Sequence, residues 1–171
     1  MKASKAAGLT ARFGTAFLDQ PGNIANAGDA ALGHYVAHAF NADANGKDSE
    51  VFAEDYKAKT GHYPVYTEGQ TVFGLQMVAS VLKGVKAQDG KLNVNAFAKA
   101  LETARVKTPV GESAMRADDH QILLPIAVSK VSKDAKFKAD NTPMGFQTVK
   151  LFSAQEAAAP VQGNCKMQRP G

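Results

Sequence analysis

Phe52-Ala53-Glu54-Asp55-Tyr56-Lys57-Ala58-Lys59-Thr60-Gly61-His62-Tyr63-Pro64 is the stretch from which the rest of the chain can be ordered. Phe52 and Tyr56 are four residues apart, one helical turn, so their rings stack on one face while the charged residues between them face water. Ser49 precedes the pattern as a cap, and Gly61 ends it because glycine accepts the positive φ that stops a helix. Working forward, a second helix is expected from about Gly69 to Leu82. Its buried stripe would be Val72, Leu75, Val78, Ala79 and Leu82, with Gly84 beyond its end. Asn93 can cap a third helix that buries Val94, Phe97, Ala98 and Leu101.

Working backward, Gly8 would stop a short helix, and Leu9 to Phe17 reads as a strand with Leu9, Ala11, Phe13 and Thr15 on one face. Asp19-Gln20-Pro21-Gly22-Asn23 is turn chemistry. Residues 24–30 are a short helix or a loop. Gly33 to Phe40 is a second strand that places His34, Val36 and His38 on one face. Beyond the helices, Glu112 to Gln121 is a polar hairpin or loop. Ile122 to Val131 is expected as a strand buried on both faces, and Phe146 to Phe152 as a cleanly alternating strand. Ala157 to Gly171 reads as a loosely held tail.

The resulting order is strand, strand, three helices, strand, strand. A single doubly wound sheet would alternate strictly, so this is a different kind of α/β fold. Early and late strands can share one sheet with the helices bundled elsewhere, which requires the chain to cross between two lobes.

Composition narrows the function. The 171 residues are 44% apolar and 21% charged, as in globular proteins. Lys and Arg exceed Asp and Glu by 20 − 16 = 4. That excess is scattered, Trp is absent and aromatics are 8%, which argues against a nucleic-acid partner. The apolar run Ile122 to Val128 contains Pro125 and falls far short of the ~20 residues of a membrane span. Met1 to Gly8 lacks the apolar core of a secretory signal, so the chain is expected either to stay in the cytosol or to belong to a precursor that starts upstream.

No strong catalytic motif is present. There is no G-x-S-x-G elbow and no phosphate-cradling glycine loop. His34 and His38 have a metal-pair spacing for a helix, but on a strand they stand roughly 13 Å apart, too far to share an ion. Asp118-Asp119-His120 reads as a turn whose carboxylates bond nearby amides. Lys130, Lys133, Lys136 and Lys138 read as a solvated turn. A small metal-dependent hydrolase built from His34, His38, Asp118, Asp119 and His120 is the least favoured alternative. The loops after the early strands are more suggestive. Phe17-Leu18-Asp19-Gln20 and Phe40-Asn41-Ala42-Asp43 each set an aromatic ring beside hydrogen-bonding groups, and ligands of α/β sheets bind just outside strand ends.

Taken together, these segments resemble a known family. The F-x-x-x-Y-x-x-x-x-G-x-x-P pattern of Phe52 to Pro64 looks like that of the solute-binding proteins of branched-chain amino acid type ABC importers. Gly28 to Phe40 is similar to the strand before it, and Thr71 to Lys83 to the long helix after it. Thr108-Pro109-Val110-Gly111 through Asp118, His120 and Gln121, then Ile126 to Val131, resembles the late hairpin and strand.

The resemblance implies an incomplete type I periplasmic binding protein fold, leucine-binding-protein-like, with strands and helices from parts of two lobes. Residues 1–40 would end the second-lobe α/β segment, and 44–110 would return to the first lobe. Residues 111–156 would form the hinge hairpin and closing strands, and 157–171 the tail.

It implies no enzyme activity, no cofactor and no metal. The implied partners are a small-molecule ligand (a small amino acid, amide or aromatic acid) and an ABC permease, in the periplasm. The implied ligand-binding residues are Phe17, Asp19, Gln20, His38, Phe40 and Asn41. Family chains are considerably longer, and much of their carboxylate and ammonium recognition lies in the part without a counterpart here. A truncated remnant that binds no ligand and associates through exposed helices is therefore the alternative. Cys165 would then be a free thiol whose partner lies in the absent half.

Overall fold

The computed structural model describes residues 1–164 and 166–169; Cys165, and with it the expectation of a free thiol, lies outside the described residues. The chain begins with α1 (Lys2–Ala6), β1 (Gly14–Thr15), α2 (Asn23–Ala27), a 3₁₀ turn (Gly28–Ala31) and β2 (Tyr35–His38). Two long helices follow, α3 (Lys47–Thr60) and α4 (Tyr66–Leu82). Next come the hairpin β3 (Ala87–Gln88) and β4 (Lys91–Leu92), then α5 (Val94–Leu101). The last part holds β5 (Arg105–Thr108), β6 (Gly111–Met115), β7 (Ile122–Leu123), β8 (Ile126–Ser132), β9 (Gly145–Phe152) and α6 (Ala154–Ala157). No helix among the described residues is long and apolar enough to cross a membrane.

Helix α3 stops where expected: Gly61 takes φ +87° and its N–H bonds the Lys57 carbonyl at 2.8 Å. Ser49 is not the cap. It sits inside the first turn, fully buried, where its hydroxyl accepts from Asn45 N–H (2.9 Å) and donates to the Gly46 carbonyl (3.1 Å). Helix α4 opens with Glu68 reaching back to Val65 N–H at 2.8 Å. It then meets the Phe40 ring at Gly69, where a Cβ would come within 2.7 Å of that ring. Asn93 caps α5 by accepting from Ala96 N–H at 3.0 Å.

Besides the two-stranded β3-β4 hairpin, two sheets organise the strands. The larger has the order β1-β2-β8-β9, with β1 parallel to β2 and the other pairs antiparallel. Early and late strands do share a sheet, the first requirement of the two-lobe reading. The smaller sheet is β5-β6-β7, all antiparallel. One core lies beneath the larger sheet around Ile24, Val36, Val131 and Phe146; another joins Phe40, Ala53, Phe73, Val110 and Phe137.

Several expectations change. Leu9 to Phe17 is not a full strand: only Gly14 and Thr15 pair, with Tyr35 and Val36, and Leu9 is 62% exposed. A ladder needs a partner along its length, and none lies on the outer edge of β1 among the described residues. The strand expected over Ile122–Val131 is broken at Leu124-Pro125, because proline cannot donate to a ladder. Its second half alternates rather than being buried on both faces, with Ala127, Ser129 and Val131 inward. Strand β9 carries a bulge: Val128 pairs with Lys150 and Ser129 with Thr148, leaving Val149 over. The bulge shifts the alternation, so Phe146 is buried while Leu151 pairs with Ala127.

Helix α4 buries Gly69, Phe73 and Met77; of the expected stripe only Val72 packs against the core, half-buried, while Leu75, Val78, Ala79 and Leu82 are exposed. In α5, Val94 likewise faces outward, and Phe97, Ala98 and Leu101 are half-buried. Beyond α6 the chain is mostly exposed but tied back. Arg116 Nη1 donates to the Ala159 carbonyl, and Arg169 forms an ion pair with Glu102.

Candidate functional site

Where the larger sheet meets the helices lies a cavity of about 550 Å³. Four parts of the chain line it. The loop after β1 gives Asp19 and Pro21, and the end of β2 with its exit gives His38, Phe40 and Asn41. The α3–α4 loop gives Gly61 through Tyr66, and the turn at 136–141, with Phe146 of β9, closes the floor. Its walls include Phe40, Tyr63, Tyr66, Phe137 and Phe146, so it is a largely apolar space with polar groups at selected points.

Beneath it runs a chain of buried hydrogen bonds. Asp19 Oδ2 lies 2.7 Å from His38 Nδ1, and His38 Nε2 lies 2.8 Å from Ser129 Oγ. Asn41 Nδ2 donates within a ring of acceptors: Asp43 Oδ1 (2.7 Å), the Phe146 carbonyl (2.9 Å), Thr148 Oγ1 (2.9 Å) and Ser129 Oγ (3.2 Å). Thr148 in turn donates its hydroxyl to Asp43 at 2.5 Å. The parity of β2 and β8 explains this meeting. His38 and Ser129 both fall on the buried face of their strands, and Asn41 follows as the chain leaves the sheet. Asp19 Oδ1 has no hydrogen-bond partner, although its residue is only 4% exposed. An unpaired carboxylate oxygen in such a place is an acceptor awaiting a donor.

At the helix side, His62 Nε2 lies 2.9 Å from Glu68 Oε1. The hydrogen bond to Glu68 raises the His62 pKa, against the smaller effect of burial. Burial pushes the Glu68 carboxyl up, but its bonds to His62, Val65 N–H and Tyr56 outweigh that and lower it. Lys57 Nζ stands 4.1 Å over the Tyr63 ring. Asp140 accepts from Gly22 (2.8 Å), Ile24 (3.0 Å) and Ala25 (3.3 Å) N–H, fastening the start of α2 to the cavity wall.

Of the residues singled out in the sequence, Asp19, His38, Phe40 and Asn41 line the cavity. Gln20 stands just behind it, donating from Nε2 to the Tyr66 hydroxyl at 2.8 Å. Phe17 does not reach it and is 65% exposed. Sequence reading missed Tyr63, Tyr66 and Phe146. The signal for the first two was the segment after Gly61, which reads as a helix stop and as part of the family pattern but not as a cavity wall.

The metal-hydrolase alternative has no common centre. His34 accepts Phe13 N–H at 3.1 Å, His38 is occupied by Asp19 and Ser129, Asp119 pairs with Arg116, and His120 pairs with Glu102. The three imidazoles and the Asp119 carboxylate each serve a different local contact. Burial, helped by the nearby Arg12 guanidinium, pushes His34 down. The lysine-rich turn is also locally occupied: Lys138 donates to the carbonyls of Lys133 and Ala135, and Lys136 pairs with Glu50 at 2.7 Å.

Comparison with known proteins gives consistent matches. The sequence model of the family described as Periplasmic binding protein matches residues 1–136. The Leu/Ile/Val-binding protein homolog 4 of Brucella abortus is 54% identical over all 171 residues, which cover 41% of that protein. The closed-conformation crystal structure of a leucine-, isoleucine-, valine-, threonine- and alanine-binding protein from Brucella ovis superposes with a TM-score of 0.93. That match is 54% identical and covers 99% of this chain and 43% of the other. A Rhodopseudomonas palustris solute-binding protein, in complex with 3,4-dihydroxybenzoic acid, shares the fold at a TM-score of 0.64 and 23% identity, over 90% of this chain and 41% of that one. This chain thus spans less than half the length of the relatives it matches.

Proposed function

This chain belongs to the periplasmic binding protein family, and from that premise we propose that it forms one wall of a ligand trap in the solute-binding component of an ABC importer. Its fold is a partial type I periplasmic binding fold, and members of the family bind solutes without catalysing a reaction. The proposed ligand is a small aliphatic amino acid, the class named for the relatives at 54% identity. The observation that carries the reading is the cavity: an aromatic enclosure containing a buried carboxylate with one oxygen unpaired.

In this reading Asp19 accepts the ligand's ammonium group, while His38 holds the other carboxylate oxygen and fixes its direction. Asn41 shapes the floor, and Phe40, Tyr63 and Tyr66 enclose the aliphatic side chain. Gln20 acts through Tyr66 and Phe17 lies at the rim. Residues 1–40 with β8 and β9 form one lobe; residues 44–110 with the β5-β6-β7 sheet form part of the other. The chain crosses between them at 39–45 and again at Leu124-Pro125. Capture is then closure of the lobes about these crossings, a shift in population toward the state the ligand contacts on both sides. The periplasm is the compartment this role requires, and a permease receives the ligand.

Calorimetry on the 171-residue chain tests this. Leucine, isoleucine, valine, threonine and alanine are titrated beside 3,4-dihydroxybenzoate. Saturable binding of the aliphatic amino acids, weakened at least tenfold (about 1.4 kcal/mol) by Asp19→Asn, supports the assignment. Binding of the aromatic acid alone, or indifference to the substitution, overturns it. Absence of any binding favours the remnant that no longer holds a ligand.

A further inference from the structure

Gln20 belongs to the loop after β1 and Tyr66 opens α4, so the two lie in different lobes of the trap described above. The Gln20 amide nevertheless donates from Nε2 to the Tyr66 hydroxyl at 2.8 Å, and both residues are half-buried. Each end is fixed within its own part of the chain. On one side, Thr15 Oγ1 accepts from Leu18 N–H at 3.1 Å, and the Gln20 carbonyl accepts from Asn23 N–H at 3.1 Å. On the other, Glu68 ties the start of α4 to Val65 N–H at 2.8 Å, and Gly69 lies against the Phe40 ring. A hydrogen bond between two groups already held in place loses little freedom when it forms. The lobes also meet through the Lys136–Glu50 pair at 2.7 Å and the Tyr63 and Phe137 rings, 5.0 Å apart. The first is largely exposed and screened by water, and the second tolerates sliding. The Gln20–Tyr66 bond is directional, so it breaks once the lobes part by about an ångström. These elements superpose at a TM-score of 0.93 on a Brucella ovis protein in its closed conformation, which makes the arrangement that joins Gln20 to Tyr66 a closed one.

We propose that the Gln20–Tyr66 hydrogen bond is a latch beside the cavity that sets the closed fraction of the chain, and through it the affinity for every ligand alike. The proposal deepens the ligand-trap reading and rests on its assignment of lobes. The bond consists of protein atoms alone, so it adds the same free energy to closure whichever amino acid is held. A contact to the ligand's side chain does the opposite and discriminates between ligands. Losing a hydrogen bond between neutral groups lowers the closed-to-open ratio about fivefold (about 1 kcal/mol). The apparent Kd then rises by the factor by which the closed fraction falls. Gln20 and Tyr66 are positioning residues in this role: they hold the walls together while Asp19 and the aromatic rings meet the ligand.

Tyr66→Phe removes the hydroxyl and keeps the ring, and Gln20→Met keeps the length of the side chain without its amide. Both variants and their combination are made in the 171-residue chain and titrated with leucine, valine and alanine. The closed fraction without ligand is read by single-molecule energy transfer between dyes at Lys5→Cys and Lys99→Cys, both exposed positions, in a Cys165→Ser background. Each single variant should lower the closed-to-open ratio about fivefold and raise the Kd of all three amino acids by one common factor. The double variant should lose no more than either single one, because the two residues share one bond. A factor that differs between ligands makes the Tyr66 hydroxyl a ligand contact and overturns the proposal. So do additive losses, or a closed fraction unchanged by Tyr66→Phe. If none of the amino acids binds, the ligand reading falls by itself, and the closed fraction of the unliganded chain still decides the latch.

Discussion

Where β2, β8 and β9 meet, Asp19, His38, Ser129, Asn41, Asp43 and Thr148 satisfy one another within this chain, with a single carboxylate oxygen left over. On the far side of α4, Leu75, Val78, Ala79 and Leu82 stand in water. The polar seam is finished and the apolar face is not. A buried donor or acceptor without a partner costs as much as a lost hydrogen bond, so such a network must be closed locally. An apolar face has no directional requirement and can be covered by whatever layer of the right shape arrives. The usual expectation that apolar residues carry a protein's stability should therefore fail on one side of this helix and hold on the other.

The two sides of α4 give the largest test. Phe73→Ala empties a fully buried ring position and should cost about 3–5 kcal/mol in urea unfolding. At Leu75, Asp should change the stability of the isolated chain by no more than about 0.5 kcal/mol. Equal losses at the two positions would mean that the stripe is covered in solution.

At the seam the order reverses: polar residues become the costly ones. His38→Leu strips a buried carboxylate of its partner and also removes the ring nitrogen hydrogen-bonded to Ser129 Oγ, for an expected loss of about 3 kcal/mol. Asn41→Ala removes an amide whose two N–H groups are shared among four nearby oxygens, among them the Phe146 carbonyl, and should cost about 2 kcal/mol. Denaturant midpoints unchanged by either substitution would show that water replaces the side chains and that the seam is not closed at all.

The same contrast governs what could be read from the sequence. Helix α3 and the cap of α5 were legible because their signals are local: Phe52 and Tyr56 one turn apart, Gly61 at the stop, Asn93 at the start. The face of α4 was not, since Leu75, Val78 and Leu82 are as apolar as Phe73 and Met77, and periodicity cannot rank two apolar sides. The hairpin β3–β4 had a signal that went unused, Asp89-Gly90, both at positive φ as a two-residue turn requires. The bulge at Val149 left no mark in the pattern of β9, because it is set by pairing with β8.

At the site, Asp19, His38, Phe40 and Asn41 were reachable from the rule that ligands gather at strand ends. Their hydrogen-bond partners Ser129 and Thr148 were not, lying 91 and 107 residues from His38 and Asn41. Only the sheet order β2-β8-β9 brings them together, and that order is a tertiary fact.

The smallest expected effect lies at the cavity mouth, where the polar pair is exposed and the seam's logic should weaken. His62 has its pKa raised above 6.5 by the hydrogen bond to Glu68, and Glu68 is lowered below 4.5. A raised histidine stabilises the folded state fully below 6.5 and loses that contribution as pH rises through its folded value. A lowered carboxylate contributes fully above 4.5 and loses it as pH falls through its own folded value. Stability from the pair is therefore greatest between the two and declines on both sides. The His62 side chain is 57% exposed, so solvent screening limits its share to about 0.5 kcal/mol. In His62→Gln the decline above pH 6.5 should flatten while the core is untouched. An undiminished alkaline decline would place its origin elsewhere, and a loss as large as that of His38→Leu would show that the α3–α4 loop is a second closed seam and not an open rim.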